Sequence, residues 1–182
     1  MIKLYTERLI IRDPIEDDLA ATYELLSDEK AMKYWQSSKT KNMGEIKEKL
    51  LKSINEAKSS ERKLYYFKII DKNTKEYIGE IGYTVTLRTP FGKFVDLGYA
   101  IKEKYWGMGY TTEAVKRIIE FAFEEDNVYR ITAGCLKENI GSEKIMQKCK
   151  FIKEAEFKEY TYHEGKLKDR VEYRLLKNEW KK

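Results

Sequence analysis

The sequence predicts a mixed α+β fold, a sandwich of helices around a partly antiparallel sheet. Three observations predict it. Two segments of helical period precede a run of three strand-like segments joined by short turns, and strand and helix then alternate. That order argues against a parallel doubly wound sheet. With 182 residues, 42% of them hydrophobic and 37% charged, the chain fits one domain over residues 1–182 with one core, and it has enough apolar surface to offset chain entropy. No linker and no internal repeat is evident.

Leu4 to Arg12 reads as a strand closed by Asp13-Pro14, because proline restricts the residue before it. Ile15-Glu16-Asp17-Asp18 opens a helix, with acids at its positive end and Leu19, Tyr23 and Leu26 on one face. The polar loop Tyr34-Trp35-Gln36-Ser37-Ser38-Lys39 has no period and holds an aromatic pair. A second helix runs from about Asn42 to Ser59. Asn42 followed by Glu45 resembles a capping box, and Met43, Ile46, Leu50, Ile54 and Ala57 recur at helical spacing. Strands follow at Leu64 to Ile70, Tyr77 to Leu87 and Phe94 to Ile101, separated by the turns Asp71-Lys72-Asn73 and Thr89-Pro90-Phe91-Gly92. A helix then extends to about Asp126 with Ala114, Ile118, Phe121 and Ala122 inward. Val128 to Leu136 is a strand, Asn139 to Lys150 a helix, and Phe151 to Tyr160 a strand. His163-Glu164-Gly165-Lys166 turns the chain into the last strand, Lys168 to Leu176.

Composition removes several function classes. The net charge of +5 is interleaved, as in Lys47-Glu48-Lys49, which reads as a solvated helix surface and not as the one-sided basic face of a nucleic-acid binder. No apolar run approaches the roughly 20 residues of a membrane helix. The first nine residues, Met1 to Leu9, carry charges where a signal peptide is apolar. Cys135, Cys149 and the single His163 make neither a disulfide framework nor a common zinc site. A cytoplasmic protein is expected, with no metal, no nucleic-acid partner and no membrane partner. His163 is expected to be a solvent-exposed turn residue, and Cys135 to pack as a small apolar side chain.

The most informative segment runs from Tyr99 to Ala114. A strand feeds a loop holding Gly107 and Gly109, and a helix begins at once. Glycines admit a ligand close to the backbone, and the first N–H groups of a helix carry partial positive charge. With Thr111 and Thr112 as hydroxyl donors, the segment suits a phosphate or pyrophosphate. The alternative is a tight strand-to-helix turn with no ligand. No triphosphatase loop of the form Gly-x-x-x-x-Gly-Lys-Ser/Thr occurs, and Thr112 stands where a dinucleotide fingerprint needs its third glycine.

Lys104-x-x-Gly107-x-Gly109 resembles the Gln/Arg-x-x-Gly-x-Gly/Ala loop of the GNAT N-acetyltransferases. Gly98-Tyr99, Tyr105 to Tyr110, Glu113-Ala114, the opening Thr6 to Arg12, and Asn139-x-x-Ser142 followed by Phe151 are similar to the RimJ/RimL-like branch of ribosomal-protein N-terminal acetyltransferases. The resemblance spans nearly the whole chain in order. Lys104 departs from the usual Gln or Arg, keeping a cation but losing a bidentate fork. Lys150 departs from the Gly that normally precedes the Phe.

The resemblance implies an acyl-CoA N-acyltransferase fold, with a mostly antiparallel twisted sheet splayed in the middle and about four flanking helices. It implies acetyl-CoA as co-substrate, with Tyr99, Ala100 and Ile101 along the pantetheine arm as an added strand would lie, and Lys104, Gly107, Met108, Gly109, Tyr110, Thr111 and Thr112 around the pyrophosphate. Asn139 is expected to hydrogen-bond pantetheine, and capping its own helix is compatible with that. The family often places a Tyr at the position of Met146 to protonate the departing thiolate. Met146 has no proton to give, so Ser142 is the candidate acid by resemblance, the alternative being a small residue that admits close helix packing. Glu154, Asp96 and Glu80 are the candidate bases, each also readable as an ordinary strand acid. An α-amine has a pKa near 8, so water can carry its proton. The acceptor is a primary amine, a peptide N-terminus by resemblance or a small amine such as an amino acid, polyamine or antibiotic. Trp35 and Glu80, with the loop Trp35-Gln36-Ser37 and the hairpin near Tyr160 to Lys166, are expected at the acceptor walls. A CoA-sensing module without turnover is the reading from another class, and a homodimer is compatible with the sequence.

Overall fold

The computed structural model describes residues 1–35 and 39–180. Its strands are β1 (Lys3–Tyr5), β2 (Leu9–Arg12), β3 (Leu64–Asp71), β4 (Tyr77–Thr89), β5 (Gly92–Ile101), β6 (Val128–Leu136), β7 (Ile152–His163) and β8 (Lys166–Leu176). Its helices, among the described residues, are α1 (Leu19–Ser27), α2 (Met43–Lys58), α3 (Tyr110–Glu124), α4 (Ile140–Lys148) and the single turn α5 (Lys177–Trp180). The strands form one open sheet ordered β1-β2-β3-β4-β5-β6-β8-β7. The sheet is mostly antiparallel, with β5 and β6 as a parallel pair. The chain folds as two compact units, residues 1–84 with 98–118, and residues 85–97 with 119–182.

In the first unit the segment expected as one strand from Leu4 to Arg12 is a hairpin, β1 pairing with β2 from Lys3↔Arg12 to Tyr5↔Ile10. Thr6 closes the turn: its backbone N–H donates to Leu9 O at 3.1 Å, and its hydroxyl accepts from Leu9 N at 2.8 Å. A Thr that satisfies the turn from its own side chain competes successfully with strand continuation. The acidic opening Glu16–Asp18 is a 3-10 turn ahead of α1. Asn42 caps α2, its side-chain oxygen accepting from Gly44 N at 2.9 Å and Glu45 N at 3.3 Å. The reciprocal half of the expected box is rerouted through Thr40, whose hydroxyl accepts from Asn42 N at 3.1 Å and donates to Glu45 at 2.7 Å. Ile46 and Leu50 of α2 are buried, whereas Met43 is exposed, since it lies in the first turn ahead of the packed stretch. Leu25, Leu26, Met32, Ile46, Ile70, Tyr77 and Ala100 form a core cluster, with Trp35 packed on its margin.

In the second unit β5 pairs with β6 from Lys93↔Val128 to Asp96↔Thr132, and the ladder ends there although β5 runs to Ile101 and β6 to Leu136. β8 pairs with β6 from Arg130↔Leu176 to Leu136↔Arg170, and β7 forms the sheet edge. Val128, Ile131, Ala133, Val171, Tyr173 and Leu175 fill the core from the strands, with Phe121, Ala122 and Phe123 from the end of α3. His163 is 5% exposed, against the expectation of a solvated turn residue. The turn itself is Glu164-Gly165, both at positive φ, so those two residues face water while His163 stays in β7 with its ring turned inward. Lys150 follows α4 at φ +64° and donates to Gln147 O at 3.0 Å, while Phe151 N donates to Met146 O at 3.0 Å. That is a left-handed helix stop in which glycine is the favoured residue.

Candidate cofactor and catalytic site

The cofactor candidates lie in the first unit. After β5 a 3-10 turn, Glu103–Tyr105, leads to Trp106, and Trp106 Nε1 donates to Ile101 O at 3.1 Å. Gly107 and Gly109 sit at φ +75° and +80°, the left-handed region that L side chains rarely adopt, which is why glycine stands at both positions. Space beside Gly107 is open: among the described residues, its chain neighbours apart, no atom lies within 4 Å of where a Cβ would be. α3 starts at Tyr110, so the amides of its first turn, which have no intrahelical acceptor, emerge from the glycine turn. Tyr99, Ala100 and Ile101 occupy the end of β5 just ahead of this loop.

Polar side chains from distant parts of the sequence brace the loop. Tyr105 Oη donates to Glu76 at 2.6 Å, and Lys104 Nζ donates to the same carboxylate at 3.2 Å. The cation expected on the pyrophosphate is therefore turned towards Glu76, whose carboxyl is held below its ordinary value by the Tyr105 and Lys104 hydrogen bonds. Arg8, in the β1–β2 turn, donates from Nη1 to Met108 O at 3.0 Å and from Nε to Glu113 at 2.7 Å. Glu113 also accepts from Thr6 Oγ1 at 2.5 Å and from Arg8 N at 2.9 Å. Desolvation opposes ionisation of Glu113, but these hydrogen bonds outweigh it and hold the carboxyl below its ordinary value. The Arg8 guanidinium lies 4.3 Å from the centre of the Tyr110 ring, and Tyr110 Oη donates to Asp71 at 3.0 Å. The sequence marked Arg8 and Glu113 only as parts of matching segments. Their partnership, across 105 residues, was not legible.

Trp35 lies beside the same strand, its ring 3.2 Å from where a Cβ of Gly98 would stand. Gln36, Ser37 and Ser38 of the expected acceptor loop lie outside the described residues. Glu80 accepts from buried Lys68, and from Tyr77 Oη at 2.9 Å, while Lys68 also donates to Thr22 at 3.0 Å. Burial, reinforced by Glu80, raises the Tyr77 phenol well above its ordinary value, so it stays a donor.

The remaining candidates lie in the second unit. Asn139 caps α4, its side chain accepting from Ser142 N at 3.1 Å. The Ser142 hydroxyl lies beside the Cys135 thiol, which burial pushes up to about 11, so Cys135 is no thiolate at neutral pH. Met146, which has no proton to give, is 1% exposed and belongs to the core. Asp96 stands at the last pair of the β5–β6 ladder and accepts from Thr132 Oγ1 at 3.3 Å. The residue reaches solvent, yet the atoms packed around its carboxylate desolvate it, and with the Glu172 charge they raise its carboxyl above the ordinary value. Glu154 is salt-bridged to Arg130 and, at 3.6 Å, to Arg174. Arg170 pairs with Glu172 at 2.5 Å, and the pair crosses Gly134 so closely that a Cβ there would collide with both side chains. Among the described residues no cluster of three or more His, Cys, Asp or Glu is arranged to hold a metal, and no helix is long and apolar enough to cross a membrane.

The structure thus combines an open, mostly antiparallel sheet, a parallel β5–β6 ladder that stops halfway and a two-glycine turn at a helix start. The family model of the acetyltransferase (GNAT) domain matches residues 8–152, and the chain belongs to the GNAT acetyltransferase family. It is 31% identical over 180 residues to an uncharacterized N-acetyltransferase, p20, of Bacillus licheniformis, with 99% of each chain covered. It is 29% identical over 116 residues to the [ribosomal protein uS5]-alanine N-acetyltransferase of Escherichia coli, covering 64% of this chain and 59% of that one. An acetyltransferase (GNAT family) from Bacillus anthracis, solved by crystallography, superimposes with a TM-score of 0.82 at 26% identity, covering 98% of this chain and all of that one. The likeness to the uS5-alanine N-acetyltransferase agrees with the RimJ/RimL-like branch expected from the sequence, and the chain is an N-acetyltransferase.

Proposed function

We propose that the protein transfers acetyl from acetyl-CoA to the N-terminal amine of a protein or peptide, in the cytoplasm, by direct attack without a covalent enzyme intermediate. The observation that carries the cofactor reading is the pair of left-handed glycines opening α3, which puts helix-start amides on an accessible turn fit for a diphosphate. The likeness to a uS5-alanine N-acetyltransferase favours the peptide acceptor. In the reaction the neutral amine attacks the thioester carbonyl, the C–N bond forms, the C–S bond breaks, and the thiolate needs a proton. Ser142, at the start of α4, passes its hydroxyl proton to the thiolate as it takes one from water, so no alkoxide is left, and the proton that Asp96 collects returns to solvent. Asp96 accepts the amine's proton through water, and its raised carboxyl suits that task better than Glu154, which two guanidiniums already occupy. Glu80 is held by Lys68 and Tyr77 and serves the acceptor wall with Trp35.

Intact-mass screening with acetyl-CoA tests the reading. Free-amine peptides are expected to gain one acetyl group and N-blocked controls none. Acetylation confined to spermidine, amino acids or aminoglycosides overturns the peptide acceptor. CoA binding with no transfer to any amine makes the chain a sensor instead.

A further inference from the structure

Resting on the acetyl-CoA reading above, we propose that Arg8 is a positioning residue for the coenzyme's diphosphate: with Glu113, it holds the turn from Met108 to Tyr110 in the shape that presents amide hydrogens to phosphate oxygens. Glycine is the most conformationally free residue, so a turn with two of them, at φ +75° and +80°, is costly to order, and a ligand that must order it loses affinity. Arg8 removes that freedom before the ligand arrives. Its Nη1 fixes the Met108 carbonyl at 3.0 Å, and among the described residues no peptide bond is cis. In a planar trans peptide the carbonyl and the next N–H point opposite ways, so anchoring Met108 O to Arg8 aims the Gly109 N–H away from it, off the turn. Glu113 fixes the guanidinium from behind through Nε and fixes the Arg8 backbone through its N–H, while Tyr110 gives the guanidinium a ring to stack on. A single exposed ion pair contributes little, but here one carboxylate accepts from three donors of the β1–β2 turn, and the arginine it holds reaches both sides of Gly109. Lys104, turned to Glu76, does not perform this task. A lysine at position 8 would keep the charge and lose the fork that links Met108 to Glu113.

Calorimetric titration of the full chain with coenzyme A and with 3′-dephospho-coenzyme A tests the proposal. Arg8→Ala is expected to weaken both ligands by about tenfold, because the diphosphate is common to them. Arg8→Lys, which retains stem and charge and so secures the test if the alanine variant misfolds, is expected to lose a similar factor with an unchanged near-UV spectrum. Glu113→Gln, still able to accept hydrogen bonds, is expected to lose about threefold. Affinities within twofold of wild type in folded Arg8→Lys overturn the proposal. A loss confined to coenzyme A also overturns it, since that marks a contact with the 3′-phosphate. Absence of binding by the wild type itself strikes the acetyl-CoA reading, and is distinguishable because no variant is then needed to see it.

Discussion

The two compact units use their charged side chains in opposite ways. In the first, several polar side chains brace one short loop: Arg8 links Met108 to Glu113, Tyr110 meets Asp71, and Lys104 and Tyr105 meet Glu76. In the second they are strung along strands whose backbones the ladders already fix: Glu154 with Arg130 and Arg174, Arg170 with Glu172, and Glu156 with Lys137, Lys153 and Lys158, which together hold its carboxyl down to about 2. The difference teaches where long-range contacts are needed. A glycine turn has no conformation of its own and takes one from outside, whereas a strand face is set by hydrogen-bonded neighbours and leaves its side chains to meet a reactant.

The comparison breaks most readily at the glycine turn. Gly109→Val puts a β-branched residue at φ +80° with its Cβ 3.4 Å from Arg8, and CoA affinity measured by calorimetry is expected to fall about a hundredfold or more. Next comes the chemistry assigned to the second unit. Ser142→Ala is expected to lower kcat about a hundredfold while CoA affinity stays within twofold, and an unchanged rate removes Ser142 from the acid's role. Asp96→Asn is expected to lower kcat about tenfold and to abolish the acid limb of the pH–rate profile, because wild-type activity rises as the pH climbs through the raised Asp96 value. The same shift has a sign for stability. A carboxyl whose folded pKa is raised contributes stability below its unfolded value and loses it as pH rises through the folded one, so Asp96→Asn should melt no lower than wild type at neutral pH. The smallest effect is at the helix stop: Lys150→Gly relieves a left-handed lysine at φ +64° and should stabilise the chain by about 1 kcal/mol, raising Tm by about 2–4 °C in a thermal melt.

What the sequence disclosed follows the same division. Local signals were legible: the Asn42 cap, the inward Ala114, Ile118, Phe121 and Ala122 of α3, the Glu164-Gly165 hairpin, and the glycine turn itself. Signals that depend on a distant partner were not. Nothing near Thr6 says that its hydroxyl closes a turn under Glu113, so β1 and β2 read as one strand. Nothing near Lys104 says that Glu76 claims its ammonium. His163 looked exposed because turns usually are, while burial at a strand end is decided by tertiary packing alone. Among the candidate bases, spacing could not separate Glu154 from Asp96. Two arginines from β6 and β8 make the difference, and their approach is a property of register.

Gly134 carries a consequence of its own. A methyl group at that site would meet the ends of the Arg170 and Glu172 side chains, which can swing aside, so alanine there re-aims the ion pair. Positions 134, 170 and 172 are therefore coupled through side-chain rotamers: enlarging the first changes where the ion pair lies on the sheet, while the register of the two strands stays as it is.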